Sequence, residues 1–112
     1  MIVGAYLKNN ILLLGGTGTL GKTIIKSNLF KNLYHPSRKR LNILDKSKIE
    51  NYLIKNKINI IIHCAALARV KECEKNKKKA YKTNILGTKN VASSVANCFK
   101  KKFKYKISLY VF

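Results

Sequence analysis

A short apolar segment that runs directly into a cluster of glycines constrains the fold of this chain more than any other feature. Residues 11–14 read ILLL and residues 15–23 read GGTGTLGKT. Four consecutive apolar residues are typical of a strand that is buried on both faces of a parallel sheet. From Thr19 onward, apolar residues recur at helical spacing, at positions 20, 24, 25, 29 and 30. The segment therefore predicts a strand, a glycine turn and a helix.

The remainder of the chain continues this alternation of strands and helices. We expect a short strand at 33–35, a loop at 37–44, and a helix that begins after Asp45 as its N-cap and runs to about residue 56. A strand buried on both faces is predicted at 58–64, and a last strand at 104–111. Such alternation predicts an α/β fold with a parallel sheet, flanking helices and right-handed crossovers.

A long helix is predicted between the last two strands, at about 78–99. The residues available for its inner face are Ala80, Ile85, Val91, Ala92, Val95 and Ala96. Gly87 interrupts the pattern, and a glycine inside a helix is either a weak point or a site of close packing. The sequence does not decide between these two interpretations.

The composition indicates one small, strongly basic domain. The chain has 112 residues, 46% of them hydrophobic, and 24 Lys and Arg against 4 Asp and Glu give a net charge of +20. Only 3 of the basic residues are Arg, and Lys is accompanied by many Ile and Asn, which share A/T-rich codons with it. The scarcity of Arg argues against dedicated nucleic-acid recognition, although a basic nucleic-acid-binding module remains an alternative. We expect non-specific attraction of polyanions at low salt in either case.

Cysteine usage and hydropathy predict a cytoplasmic protein. Cys64, Cys73 and Cys98 are an odd number without a C-x-x-C pair, which favours neither a disulfide framework nor a zinc site. No apolar run approaches the roughly 20 residues of a membrane span, and the first ten residues are too short and too polar for a secretory signal. We therefore expect no membrane association and no metal site.

The glycine-rich segment satisfies two patterns that imply different proteins. As G-x-x-G-x-x-G, with glycines at 15, 18 and 21, it is a dinucleotide-binding turn in which a helix N-terminus holds the pyrophosphate. As G-x-x-x-x-G-K-T, ending in Lys22 and Thr23, it is a P-loop in which Lys22 reaches the terminal phosphates and Thr23 holds magnesium. A P-loop enzyme also needs an acid at a strand end, whereas the strand at 58–64 ends in His63 and Cys64. A P-loop nucleotide-binding protein remains the second alternative.

Three further segments carry a family resemblance, in the expected order: NILD at 42–45, IIIHCAA at 60–66 and AYKTNILGTKNVA at 80–92. With the glycine turn, the chain from 10 to 112 resembles the extended short-chain dehydrogenases/reductases that act on nucleotide sugars, and most of all the dTDP-4-dehydrorhamnose reductases. The resemblance implies a single Rossmann-like NAD(P)-binding domain at 1–112, with 1–9 as an N-terminal extension. The resemblance also leads us to expect that, relative to the family, the sheet is incomplete and the substrate domain is absent.

The resemblance also implies which residues bind the cofactor. The pyrophosphate site would consist of Gly15, Thr17, Gly18, Thr19, Leu20 and Gly21. Asn42 and Ile43 match the adenine contact, with Asn in place of the family's usual Asp. The small-residue loop that runs under the cofactor would be Cys64, Ala65, Ala66 and Leu67. Asn84 matches a helix asparagine that supports the active-site strand.

The residues after the second strand favour NADP(H) slightly over NAD(H). An NAD-type site would place an acid about 20 residues beyond the glycines to bind the ribose 2′-hydroxyl. Residues 36–44 contain no acid, and Arg38 is present instead. A guanidinium suits the 2′-phosphate of NADP(H).

Catalytic residues of the family are largely missing. Its reductases use a Ser or Thr on the strand that corresponds to 107–112 here, followed by a Tyr-x-x-x-Lys pair. None of the six tyrosines is followed by Lys four residues later, and the family's STDYVF is represented by SLYVF, which leaves Ser108 as the candidate catalytic residue. We therefore expect a cofactor-binding fragment that does not transfer hydride alone, whereas full-length relatives would bind a nucleotide-sugar substrate.

His63 and Cys64 are adjacent in a strand and point to opposite faces, so we expect them to line the cofactor site or pack rather than form a nucleophile pair.

Overall fold

The computed structural model describes residues 9–64, 74–100 and 106–112. Strands and helices alternate along this part of the chain, as the sequence predicts. In chain order they are β1 (Ile11–Leu14), α1 (Thr19–Ser27), β2 (Leu33–Tyr34), α2 (Lys46–Lys55), β3 (Ile60–His63), α3 (Glu74–Lys100) and β4 (Ser108–Val111).

The four strands form one parallel sheet in the order β2-β1-β3-β4. This confirms the predicted Rossmann-like α/β fold, of which the chain contains a fragment. The register pairs Leu14 of β1 with His63 of β3, and His63 with Val111 of β4. The carboxyl ends of these strands therefore meet at one edge of the sheet, and the segments that follow them become neighbours.

One face of the sheet carries most of the core. Leu12 and Leu14 of β1 and Ile61 of β3 are buried there against α2 and α3. Helix α2 begins where the sequence predicts, because the Asp45 carboxylate accepts a hydrogen bond from the Lys48 backbone N–H at 3.2 Å. Its apolar residues Ile49 and Leu53 are buried in the same core.

The inner face of α3 differs in part from the prediction. Val91 is buried and Val95 packs against the core, but Ile85 is 58% exposed and Ala92 and Ala96 are also exposed. The buried positions instead recur every three or four residues at Gly87, Val91, Ser94 and Cys98. Sequence reasoning missed Ser94 because it is polar, yet its hydroxyl donates to the Asn90 carbonyl at 2.7 Å and is satisfied within the helix. The side chain of Ala80 lies outside the described residues.

Strands β2, β3 and β4 are shorter than predicted. Residues 58–59 precede β3 although Ile58 is buried, and residues 106–107 precede β4, while 104–105 lie outside the described residues. In β3, Ile61 is buried but Ile60 and Ile62 are half-buried, so the prediction that both faces are buried was wrong. The reason is that α2 and α3 cover the face that carries Ile61, which leaves the opposite face of β3 only partly covered.

Within the described ranges, no helix is both long enough and apolar enough to cross a membrane.

Candidate functional site

The candidate site lies at the edge of the sheet where β1, β2 and β3 end. In open parallel sheets, ligands bind outside the carboxyl ends of the strands because loops from several strands converge there. Here the glycine turn follows β1, residues 35–44 follow β2, and Cys64 follows β3. The structure therefore brings most of the predicted site residues to one edge.

Gly15 makes the turn out of β1 possible. Its φ is +81°, a left-handed conformation that side chains rarely adopt, and a Cβ at this position would collide with the carbonyl oxygen of Cys64. The backbone N–H of Gly18 then donates to the carbonyl of Gly15 at 3.2 Å and closes a tight four-residue turn. The chain can leave β1 this sharply only because residue 15 has no side chain.

Gly21 allows α1 to pack directly against that turn. A Cβ on Gly21 would overlap the Gly15 carbonyl oxygen and would lie 2.6 Å from the Gly16 Cα. Gly21 is buried within α1, so its missing side chain brings the helix backbone into contact with the turn backbone. This is the role of the third glycine in a dinucleotide-binding turn.

Gly18 differs from both, because the space beside it is open. It is the N-cap of α1, and its carbonyl accepts from the Lys22 N–H at 2.9 Å. Among the described residues, a Cβ there would meet nothing closer than the Gly15 carbonyl oxygen at 3.6 Å. No side chain caps this helix end, and the first turn of α1 contains no acid. Among the described residues, no side chain blocks the approach of an anion to this positive end of the helix dipole.

The helix boundary separates the two interpretations of the glycine segment. Because α1 begins at Thr19, Gly21 and Lys22 lie inside the helix, whereas a P-loop needs an extended loop up to that point to surround the phosphates. The Thr23 hydroxyl donates to the Thr19 carbonyl at 2.9 Å within α1. In the described part of the chain, no three His, Cys, Asp or Glu side chains are grouped to hold a metal ion, and the Asp45 carboxylate caps α2. The geometry fits the dinucleotide pattern.

The segment after β2 lies beside the glycine turn. A Cβ on Gly16 would be 3.7 Å from the Cβ of His35, so His35 lies beside the turn. Arg38 is exposed in a turn that Ser37 organises by accepting from the N–H groups of Arg40 and Leu41, both at 3.0 Å. His35, which directly follows β2, was not among the residues predicted for the site.

Residues 42–44 form a compact turn at the same edge. The Asn42 side chain accepts from the Leu44 N–H at 3.0 Å, and the Asp45 N–H donates to the Asn42 carbonyl at 2.9 Å. The Asn42 side chain is exposed, and its amide N–H groups have no hydrogen-bond partner among the described residues. The Ile43 carbonyl accepts from Asn90 Nδ2 of α3 at 2.9 Å.

Gly87 of α3 is a site of close packing against this turn. A Cβ on Gly87 would overlap Ile43 Cδ1 and would lie 2.6 Å from Ile43 Cγ1. The structure thus decides between the two interpretations that the sequence left open. The contributions of Gly87 and Asn90 were missed because no local pattern pairs a helix with a turn more than 40 residues earlier.

His63 and Cys64 are both buried and do not face each other as a reactive pair. Burial raises the pKa of the Cys64 thiol and lowers the pKa of the His63 imidazole, so both side chains favour their neutral forms. His63 Nε2 lies 2.9 Å from the Thr88 hydroxyl of α3, while His63 Nδ1 is buried without a hydrogen-bond partner among the described residues. Both side chains are therefore packed within the fold, and a role in lining the cofactor site stays a prediction. Ala65, Ala66 and Leu67 lie outside the described residues.

Ser108 is not brought into this site. It is the first residue of β4 and pairs with Ile60, whereas the carboxyl end of β4 pairs with His63 through Val111. Three residues of strand correspond to roughly 10 Å, so Ser108 lies at the opposite end of the strand from the glycine turn. Asn84 is half-buried on α3.

Comparison with known proteins gives consistent matches. The sequence model of the family described as RmlD substrate binding domain matches residues 9–112. A UDP-N-acetylglucosamine 4,6-dehydratase (inverting) from Campylobacter jejuni is 33% identical and is aligned over 93% of this chain and 36% of its own length.

Two solved structures are similar in fold and sequence. A dTDP-4-dehydrorhamnose reductase from Bacillus anthracis in complex with NADP superimposes with a TM-score of 0.65 and 31% identity, over 78% of this chain and 32% of that one. A dTDP-4-dehydrorhamnose reductase from Clostridium acetobutylicum superimposes with a TM-score of 0.67 and 30% identity, over 88% of this chain and 34% of that one. The chain therefore spans about a third of the length of these proteins.

Proposed function

Because this chain belongs to the RmlD substrate-binding domain family, we propose that it is the NAD(P)-binding portion of a nucleotide-sugar oxidoreductase similar to the dTDP-4-dehydrorhamnose reductases. The observation that carries the proposal is the glycine turn. Gly15 and Gly21 have no room for a side chain, and between them Gly18 leaves the uncapped end of α1 open to an anion. A pyrophosphate fits this arrangement because it needs close backbone approach and positive charge.

The backbone of the turn would hold the pyrophosphate, through the residues predicted from the sequence: Gly15, Thr17, Gly18, Thr19, Leu20 and Gly21. At the adenine end, Asn42 would donate from its free amide N–H groups to an acceptor nitrogen on the base edge, with Ile43 beside it. Cys64, directly after β3, would line the site, and Ala65, Ala66 and Leu67 stay predicted from the sequence as cofactor-binding residues. Bound there, the dinucleotide supplies hydride-transfer chemistry.

For the cofactor preference we propose NADP(H) over NAD(H). Arg38 is exposed in the segment after β2, and His35 of that segment lies beside the glycine turn, so the Arg38 guanidinium would be available to a 2′-phosphate that projects from this side of the site. The Bacillus anthracis reductase was solved with NADP, which supports the assignment by family.

These 112 residues would bind the dinucleotide without reducing a sugar alone. None of the six tyrosines is followed by Lys four residues later, and Val111 rather than a hydroxyl residue pairs with His63 at the carboxyl end of β4. The chain's own residues therefore supply binding and orientation. The proton donor and the substrate contacts of the longer relatives would have to come from elsewhere.

A thermal-shift titration with NADPH, NADH and Mg-ATP tests both the ligand class and the role of Arg38. We expect NADPH and NADH to raise the melting temperature and Mg-ATP to leave it unchanged. Arg38→Ala should weaken NADPH binding on the order of tenfold and NADH binding little, because it removes a charged hydrogen-bond donor to the 2′-phosphate.

Lys26→Ala is the matched control, since it removes the same charge from the far end of α1. Stabilisation by Mg-ATP alone would show that the dinucleotide assignment is wrong. Equal losses of NADPH and NADH affinity in Arg38→Ala would show that Arg38 does not contact the 2′-phosphate.

A further inference from the structure

One turn of α3, residues 87–90, contacts the candidate site at two places. Gly87 touches the side chain of Ile43, and Asn90 Nδ2 donates to the carbonyl of Ile43 at 2.9 Å. Thr88, between them in sequence, lies 2.9 Å through its hydroxyl from His63 Nε2 at the carboxyl end of β3. A single helical turn thus contacts both the turn at 42–44 and the end of a central strand.

The contacts from α3 differ in kind from those inside the turn at 42–44. The hydrogen bonds from Leu44 to the Asn42 side chain and from Asp45 to the Asn42 carbonyl join residues two or three positions apart, so they fix the shape of the turn. The bond from Asn90 spans 47 residues and fixes the position of the turn relative to the sheet and helices. Close packing of Ile43 on Gly87 restricts the same residue through its side chain.

We infer that Asn90 and Gly87 are positioning residues for dinucleotide binding, which hold the turn at 42–44 where it receives the adenine ring. The inference rests on the proposed function. Asn90 acts on the backbone carbonyl of Ile43, and Gly87 admits the Ile43 side chain to a space that a methyl group would fill. Neither residue touches the cofactor, and their effect is confined to its adenine end.

The test measures dissociation constants of NADPH, adenosine 2′,5′-bisphosphate and reduced nicotinamide mononucleotide by calorimetry, well below the melting temperature of each variant. Asn90→Asp keeps the size of the side chain but replaces the N–H donor with an acceptor that repels the Ile43 carbonyl. We expect Asn90→Asp and Gly87→Ala each to weaken NADPH and the bisphosphate about five- to tenfold and by the same factor. Binding of the mononucleotide, which lacks adenine, should stay within twofold of wild type.

Two controls separate positioning from general effects. Asn51→Asp makes the same substitution at an exposed position of α2, so it reports the effect of the added negative charge on an anionic ligand. Ile43→Ala removes Cδ1 and Cγ1, the atoms that a Cβ on Gly87 would meet, and leaves Ile43 Cβ at 3.5 Å. If Gly87→Ala acts through Ile43, the double variant should bind NADPH no more weakly than Ile43→Ala alone.

Wild-type affinity for all three ligands in Asn90→Asp and Gly87→Ala would overturn the inference and leave the proposed function standing. Equal weakening of the mononucleotide would overturn it as well, because the residues would then support the fold in general. If Asn90→Asp does not fold, the inference is tested by the NADPH affinities of Gly87→Ala, Ile43→Ala and their double variant. A wild-type chain that binds neither NADPH nor the bisphosphate would overturn the proposed function together with the inference.

Discussion

The glycines of the turn after β1 meet different physical requirements, although the sequence pattern treats them alike. Gly15 is required by its positive φ and by the carbonyl of Cys64, and Gly21 by the backbone of the turn it packs on. Gly18 has an ordinary extended conformation, with φ at −77° and ψ at 173°, and open space beside it. Of these three glycines, Gly18 can therefore be substituted with the least disturbance of the fold, and this makes it a position at which ligand binding can be tested separately from stability.

His63 should make the stability of the chain depend on pH. Burial lowers the pKa of His63 in the folded protein below its unfolded value of about 6.5. The unfolded state therefore binds more protons between these two values, so stability is complete above pH 6.5 and is lost as the pH falls through the folded pKa. One proton changes the free energy of unfolding by at most about 1.4 kcal/mol per pH unit.

Urea denaturation between pH 5.5 and 7.5 measures this dependence. His63→Gln should flatten it, because Gln does not titrate, even if the loss of ring packing lowers stability at every pH. A wild-type slope in His63→Gln would show that another group is responsible.

At the scale of the element, α3 shows why burial could not be read from hydrophobicity alone. Its buried positions include a glycine, a serine and a cysteine, whereas Ile85, Leu86 and Phe99 are each more than half exposed. The spacing of buried residues is helical in both the predicted and the observed pattern. The prediction of which face of α3 is buried was wrong in part, because the apolar residues occur on two sides of the helix.

A pair of alanine substitutions on α3 tests which face is packed. Val91 is 0% exposed and Ile85 is 58% exposed. Val91→Ala should lower the free energy of unfolding by about 1–3 kcal/mol, because it leaves a cavity in the core. Ile85→Ala should change it by less than about 0.5 kcal/mol, since more than half of that side chain is already exposed to solvent. Chemical denaturation of the two variants checks this, and equal losses would contradict the assigned face.

Helix starts were predicted better than strand lengths, for a physical reason. Asp45 and the glycine turn define the beginnings of α2 and α1 through local hydrogen bonds and backbone conformation, which depend on a few adjacent residues. The ends of β3 and β4 depend on which strand lies alongside and which helix covers each face. Those relations join residues such as Ile60 and Ser108 that are far apart in sequence.

At the scale of the whole molecule, parallel strand order assembles the site. The glycine motif and the family resemblance predict a site formed by residues 15–21, 38, 42–43 and 64, and the parallel strand order places the segments that follow β1, β2 and β3 at one edge of the sheet. The position of Ser108 could not be predicted, because it depends on the register of β4 against β3. The contacts of Asn90 and Gly87 with Ile43 also depend on tertiary packing and left no local signal.

The net charge of +20 affects any binding measurement on this molecule. A chain of this charge attracts anions non-specifically at low salt, and that attraction weakens as the ionic strength rises. Titrations with NADPH should therefore be carried out at about 0.15 M salt, where the Debye length is about 8 Å. Charge-matched variants such as Asn51→Asp then separate the contribution of the site from that of the overall field.

The most direct test of the dinucleotide assignment is calorimetric titration of NADPH into the wild-type chain and Gly18→Asp at that salt concentration. An aspartate at residue 18 should cap α1 and keep or raise stability by about 0.5–1 kcal/mol, while its carboxylate repels a pyrophosphate. We predict that wild type and Asn51→Asp bind NADPH alike and that Gly18→Asp, folded to the same extent, binds at least about tenfold more weakly. Equal NADPH affinity in Gly18→Asp and wild type, or no binding by the folded wild type, would contradict the assignment.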